Sequence, residues 1–452
     1  MTPPARPGSR APRVLALAGV ALIAAVTIAG LEHFRNTAPG LPEVPPLDPG
    51  GLAPGYGPSS YPQALAAADS AIAGKRALLA LAPGEWLRRE GLGRAVLARG
   101  RLTANAQDLL AANRLLAQAL AAAPWPAGPV LSRAGAAVMV HDLLTAEQTL
   151  DRFDASLARP SALEAQEALG MRCEIAFERG DLRQARSLCG DGGGLGLALR
   201  RANIALAAGD AASAAGIVEN ALERPGHSPA QLSALMLQRA AIALATGDWT
   251  ASGRWSRAAD RTFPGHWLAE AMVAQQFALE GRVEEAETAY RAIAERTDNP
   301  DVWSALVGIA SQRGDGAARR AYLARAGAAW ERRIALLPDT YAGHYAEHLA
   351  QADETERALA ISAGDYARRP YLPVITGHAI VLDRAGRHGD VLAVVERGEA
   401  AGFRSAMLLM LKSNALASLN RTREAEQARR DARALNPNIE HPNQAFVFFR
   451  QD

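Results

Sequence analysis

The stretch LAEAMVAQQFALEGRVEEAETAYRAIAERTDNP, Leu268 to Pro300, decides how the chain is read. Apolar residues recur at helical spacing on both sides of Gly281, and Pro300 closes the second run. The pattern is a helix, a glycine turn, a second helix and a proline stop. Ala274 and Ala286 lie seven before and five after the glycine, where two antiparallel helices must approach closely. Phe277, Tyr290 and Ile293 supply the bulk around them.

Outward from this stretch the same plan recurs. Turn glycines stand at 180, 209, 247, 281 and 314, separated by 29, 38, 34 and 33 residues, and Gly386 and Asn420 continue 34 apart. The 72-residue gap between Gly314 and Gly386 leaves room for one weaker copy turning near Ala352-Asp353. Gly-Asp pairs at 180-181, 209-210, 247-248 and 314-315 have a physical reason. Glycine takes the left-handed conformation that ends one helix, and the aspartate accepts hydrogen bonds from the free amides that start the next. Small residues keep their offsets: Cys173, Ala202, Ala240, Ala274 and Ala379 precede the turns by seven, and Ala185, Ala214, Ala286 and Ala425 follow by five. A period near 34 marks a solenoid of helix pairs.

On these residues, with Trp303 and Leu306 before Gly314, the segment Glu167 to Pro437 resembles the tetratricopeptide repeat family. Arg319 and Ile293, where small residues are expected, and the long segment Ala321 to Leu337 depart from its pattern. The resemblance implies an all-α, right-handed superhelix of antiparallel helix pairs whose first helices line a concave, peptide-binding groove. On that implication Asn203, Gln275, Thr376, Asp383 and Asn414 are the groove candidates. They are scattered polar residues among Ala, Leu and Met, suited to an apolar or mixed peptide. No catalytic group or cofactor comes with the resemblance.

Composition agrees with helices. Alanine is abundant and aromatic residues are 5% of the 452 positions, whereas strands draw on β-branched and aromatic residues. The formal charge is +2 with both signs interspersed, which argues against nucleic acid as a partner. Lys75 and Lys412 are the only lysines.

The amino terminus sets the compartment. Val14 to Leu31 carries no charge over 18 residues and follows Arg6, Arg10 and Arg13. As a helix it would rise ~27 Å, enough for a bilayer core, with the leader 1–13 in the cytoplasm. The expected address is therefore a single-pass bacterial inner-membrane protein with its bulk in the periplasm; cleavage as a signal peptide is the alternative. Residues 32–60 hold seven prolines from Pro39 to Pro58 and read as a linker. Residues 61–166 read as divergent helical hairpins, with runs at Pro62–Leu81, Glu85–Ala98, Ala104–Ala123, Val130–Leu143 and Thr145–Leu157 and a break at Gly100. Residues 167–437 form the repeat array and 438–452 a tail.

Three features invite chemistry. Cys173 and Cys189 fall at facing positions of one helix pair and read either as an intrahairpin disulfide or as two buried thiols. The string His344-Tyr345-Ala346-Glu347-His348 matches a zinc-hydrolase motif, with Glu424 conceivable as a third ligand; the competing reading is an exposed helix face. Gly192-Gly193-Gly194 lacks a following Lys-Ser/Thr and reads as a loop. In the tail, Phe446, Phe448 and Phe449 are expected to cover the last repeat's open core, or else to bind a partner. The expected function is a non-enzymatic scaffold binding proteins or peptides in envelope assembly, secretion or polysaccharide export, with an exported zinc hydrolase as the alternative.

Overall fold

The computed structural model describes residues 47–156, 159–190 and 194–449. The expected membrane span Val14–Leu31 and about half of the linker, residues 32–46, lie outside them. Among the described residues no helix is long and apolar enough to cross a membrane. They form twenty-one α-helices and no strand.

Helix α1 (Tyr61–Leu81) leads into ten antiparallel hairpins. They pair α2 (Trp86–Thr103) with α3 (Ala106–Ala122), α4 (Val130–Met139) with α5 (Leu143–Asp154), α6 (Ala162–Glu178) with α7 (Leu182–Cys189), and α8 (Leu195–Ala207) with α9 (Ala211–Leu222). Next come α10 (Pro229–Ala245) with α11 (Trp249–Thr262), α12 (Trp267–Leu279) with α13 (Val283–Thr297), and α14 (Pro300–Gln312) with α15 (Gly316–Leu336). The last three join α16 (Pro338–Gln351) to α17 (Thr355–Arg368), α18 (Leu372–Arg384) to α19 (His388–Ala400), and α20 (Ala406–Ser418) to α21 (Thr422–Leu435).

Every hairpin turns through a residue of positive φ. Glycine serves at 180, 209, 247, 281, 314 and 386, while Ala104, His141, Asp353 and Asn420 serve elsewhere. The expected caps are present: Asp181, Asp210, Asp248 and Asp315 accept from the backbone amides of Gln184, Ser213, Ala251 and Ala317. Ala274 and Ala286 are fully buried, as close packing at the turn requires. Two local expectations are corrected. Gly100 does not break its helix; it is buried in α2, where a Cβ would come within 3.0 Å of Leu109. Val130–Leu143 is not one helix, because His141 turns the chain at φ 57°.

The array closes on itself with a shift of six hairpins. Thr340, opening the eighth hairpin, donates its hydroxyl to the Val140 carbonyl at the turn of the second, 2.9 Å away. Pro370, ahead of the ninth, packs on Gly180 at the turn of the third. The Arg404 amide, ahead of the tenth, donates to the Ala207 carbonyl at the turn of the fourth, at 2.8 Å. After the last hairpin Asn438 donates to the Gly247 carbonyl of the fifth turn (2.8 Å) and Asn443 to the Leu279 carbonyl of the sixth (3.0 Å). On the other side, Gly55 and Tyr61 donate backbone bonds to the carbonyls of His227 and Pro264, so residues 49–60 lie on the array.

One apolar core seals this closure: Cys173, Phe177, Leu182 and Cys189 of the third hairpin share it with Ile375, Val391, Phe403 and Leu408. The Phe177 ring meets Tyr371 and Phe403 edge-on. The turns of the second to sixth hairpins are thus each contacted by a segment that follows about six hairpins later.

Candidate functional site: the interior cavity and the tail

First helices of several hairpins face the interior, as the repeat pattern implies. Phe177 of α6, Asn203 of α8, Leu244 of α10, Leu372 and Thr376 of α18 and Met407 of α20 surround a cavity of about 160 Å³. Its walls are mainly apolar, and Glu347 of α16 also faces it. The tail lines the space with Ile439, Gln444 and Val447.

The tail does not do what the sequence suggests. The exposed side of the last hairpin is met by Ile439, which packs with Ala406, Leu409 and Ala432. The aromatic residues go further, because closure sets the end of α21 beside the turns of the fifth and sixth hairpins. There His441 meets the Trp249 ring edge-on and Pro442–Phe446 forms one 3-10 turn. The chain then enters the array against α12, α13 and α14.

Gln275 of α12 holds it. This side chain is 1% exposed. Its Oε1 accepts from the amides of Phe448 (2.6 Å) and Phe449 (2.7 Å), and its Nε2 donates to the Phe449 carbonyl (3.2 Å). A side-chain amide that binds three main-chain groups recognises an extended backbone whatever its side chains. The side chains are read by packing. Phe448 fills a notch at Gly308, where even a Cβ would stand 2.3 Å from the ring, and Phe449 lies between Tyr290 and Trp267. The Tyr290 hydroxyl is fully buried and without a hydrogen-bond partner, and burial pushes its pKa well up.

Of the other groove candidates, Asn203 accepts from Gln238 at 2.6 Å and Thr376 donates to the Leu372 carbonyl at 2.8 Å, both beside the cavity. Asp383 lies 3.5 Å from His388, and Asn414 is exposed; neither lines the cavity. Tyr290, expected as core filler, belongs to this seat, as do Trp267 and Gly308, which the repeat pattern does not mark. A glycine inside α14 with no turn to make was the available signal.

The histidines of the string at 344–348 do not converge. His344 is exposed, stacked on Trp330 and 3.5 Å from Asp301. His348 is buried against Gly327, and burial lowers its pKa. Glu424 pairs with Arg421 in another hairpin. No group of three potential ligands occurs among the described residues. Cys173 and Cys189 are brought together in one core, with sulfurs at bonding distance and Cα atoms 5.4 Å apart.

No protein-family model matches the chain, and no curated protein does. Many solved structures are similar to it. One is a Rap protein complexed with competence and sporulation factor, at 10% identity over 70% of this chain and 98% of that one, TM-score 0.39. A tetratricopeptide repeat protein from Parabacteroides merdae matches at 14% identity over 56% and 96%, TM-score 0.34. Yeast Tom70 matches at 14% identity over 84% and 91%, TM-score 0.32.

Proposed function

We propose that this chain is a non-enzymatic protein-interaction scaffold, anchored in the inner membrane through Val14–Leu31 and facing the periplasm, where it serves envelope assembly, secretion or polysaccharide export. The observation that carries the binding role is the seat of the tail. The inner faces of α12 and α14 hold an extended polypeptide through Gln275 and an aromatic cage. Such a seat serves peptide recognition, with main-chain hydrogen bonds supplying affinity and pockets supplying selectivity. The address rests on the arginines before the apolar run and on the Pro-rich linker after it.

Crosslinking in the native membrane followed by pull-down tests the role, and protease accessibility in spheroplasts tests the address. Specific protein partners and an array digested from outside the inner membrane are expected. No crosslinked partner would overturn the first, and a protected array the second.

A further inference from the structure

We infer that the Gln275 seat is a site for a partner's extended segment carrying two adjacent aromatic residues, and that the chain's own tail occupies it as a displaceable stand-in. This rests on the scaffold reading and adds the chemistry of what the scaffold takes.

Three observations lead there. Gln275 engages only main-chain atoms of the tail, so an exchange of one extended chain for another preserves all three hydrogen bonds. The pockets are shaped for rings: the notch at Gly308 takes Phe448, and Tyr290 and Trp267 flank Phe449. The tail is also an incomplete ligand, because Tyr290, whose ring packs against both phenylalanines, keeps its buried hydroxyl without a partner. A segment that keeps the aromatic pair and offers an acceptor to that hydroxyl binds better than the tail does, since an orphaned buried donor is costly.

Tethering explains how the seat stays filled meanwhile. A segment on a short connection experiences an effective concentration in the millimolar range, so a moderate intrinsic affinity keeps it seated. The connecting side is held by the side chains of Asn438 and Asn443 on single carbonyls, by Ile439 in the last hairpin's core and by His441 against Trp249, which keeps the end of the tail close to the seat when it is out. Free competitor therefore sees the site at an affinity reduced by the fraction of time the tail is out.

The test uses a fluorescent peptide of residues 442–452, PNQAFVFFRQD, titrated into the full chain and into its Phe448→Ala/Phe449→Ala variant. Binding to the variant at least tenfold tighter than to the unaltered chain, and lost when Gln275→Ala is added, is the expected result. Equal affinity for both chains, with helical content unchanged, would overturn the inference.

Amide exchange on the unaltered chain decides the matter if the variant does not fold. The Phe448 and Phe449 amides should exchange at least 100-fold faster than those in the middle of α12. Exchange at the same rate makes the tail a fixed part of the core and overturns the inference. Partners recovered from the membrane despite either negative outcome would leave the scaffold reading standing and place its binding surface elsewhere.

Discussion

Arg369 and Glu178, 191 positions apart in sequence, meet inside the protein at 3.5 Å with side chains only 4% and 2% exposed. Arg369 also binds Asp365 at 2.8 Å and the Asp339 carbonyl at 3.1 Å, and Glu178 takes a second contact from His141 at 2.8 Å. The cluster joins the second and third hairpins to the eighth and to the loop ahead of the ninth. Arg369→Ala removes the guanidinium between two buried carboxylates, leaving Asp365 with Arg368 at 3.7 Å and Glu178 with His141, which costs about 3–5 kcal/mol. Urea unfolding of this variant beside Arg172→Ala, which removes a partly exposed pair with Asp154, should show the large loss for Arg369 and at most ~1 kcal/mol for Arg172.

The turn glycines separate closure from conformation. Gly180 and Gly247 have φ of 81° and 77° and also face the next superhelical turn, where a Cβ would come within 2.7 Å of the Pro370 carbonyl oxygen or 2.3 Å of Asn436. Gly281 and Gly314 share the backbone conformation but face open space. Alanine at 281 or 314 therefore costs only the left-handed strain, about 1–2 kcal/mol. Alanine at 180 or 247 adds a backbone or side-chain clash and should lower the melting temperature clearly further. Equal shifts at all four sites would mean that the turns are not in contact across the array.

Acid should weaken the fold through its buried histidines. Burial pushes the His266 imidazole down to about 4, and burial also lowers His348 and His378 from the ordinary histidine value. In the unfolded chain these groups take up protons near pH ~6.5. Below that value the unfolded state binds more protons than the folded one, so stability is complete above it and declines as pH falls toward 4. His266 alone contributes up to roughly 3 kcal/mol to this decline. His266→Leu should flatten the slope measured by urea unfolding between pH 7 and pH 5.

Cys173 and Cys189 enclose a separation of 16 residues and are almost wholly buried. The protein from an oxidising compartment should take up no alkylating reagent when denatured without reductant, and two equivalents after reduction. Replacing both by serine should lower stability by about 3 kcal/mol on the loop-entropy scale. Two alkylated thiols before reduction would show that the pair is unbonded in the protein as isolated.

What could be read from the sequence was local. The glycine turns and aspartate caps have chemistry that acts within four residues, so Gly180-Asp181 or Gly247-Asp248 announces itself. His141 announces nothing, because a histidine at positive φ has no compositional mark, and the turn of the second hairpin is therefore not visible in the sequence. Closure was hidden more deeply. The contacts of Gly180 with Pro370 and of Gly209 with Arg404 span about 190 residues and depend on superhelical pitch, which small packing angles set. Gln275 could be placed on the inner face, but its occupant could not, since the tail reaches it only in a closed array. The tail's aromatics accordingly looked like a cover for the nearest hairpin.

Small-angle X-ray scattering of residues 49–452 tests closure most directly. A closed array of about 400 residues should give a radius of gyration near 21–24 Å, the compact-domain scale. Ten hairpins stacked at ~10 Å without closure would extend about 100 Å and give about 30 Å or more. The smaller value, raised by Arg369→Ala, is the predicted result. The larger value in the unaltered chain would contradict the contacts across the array and, with them, the seat in which the tail is held.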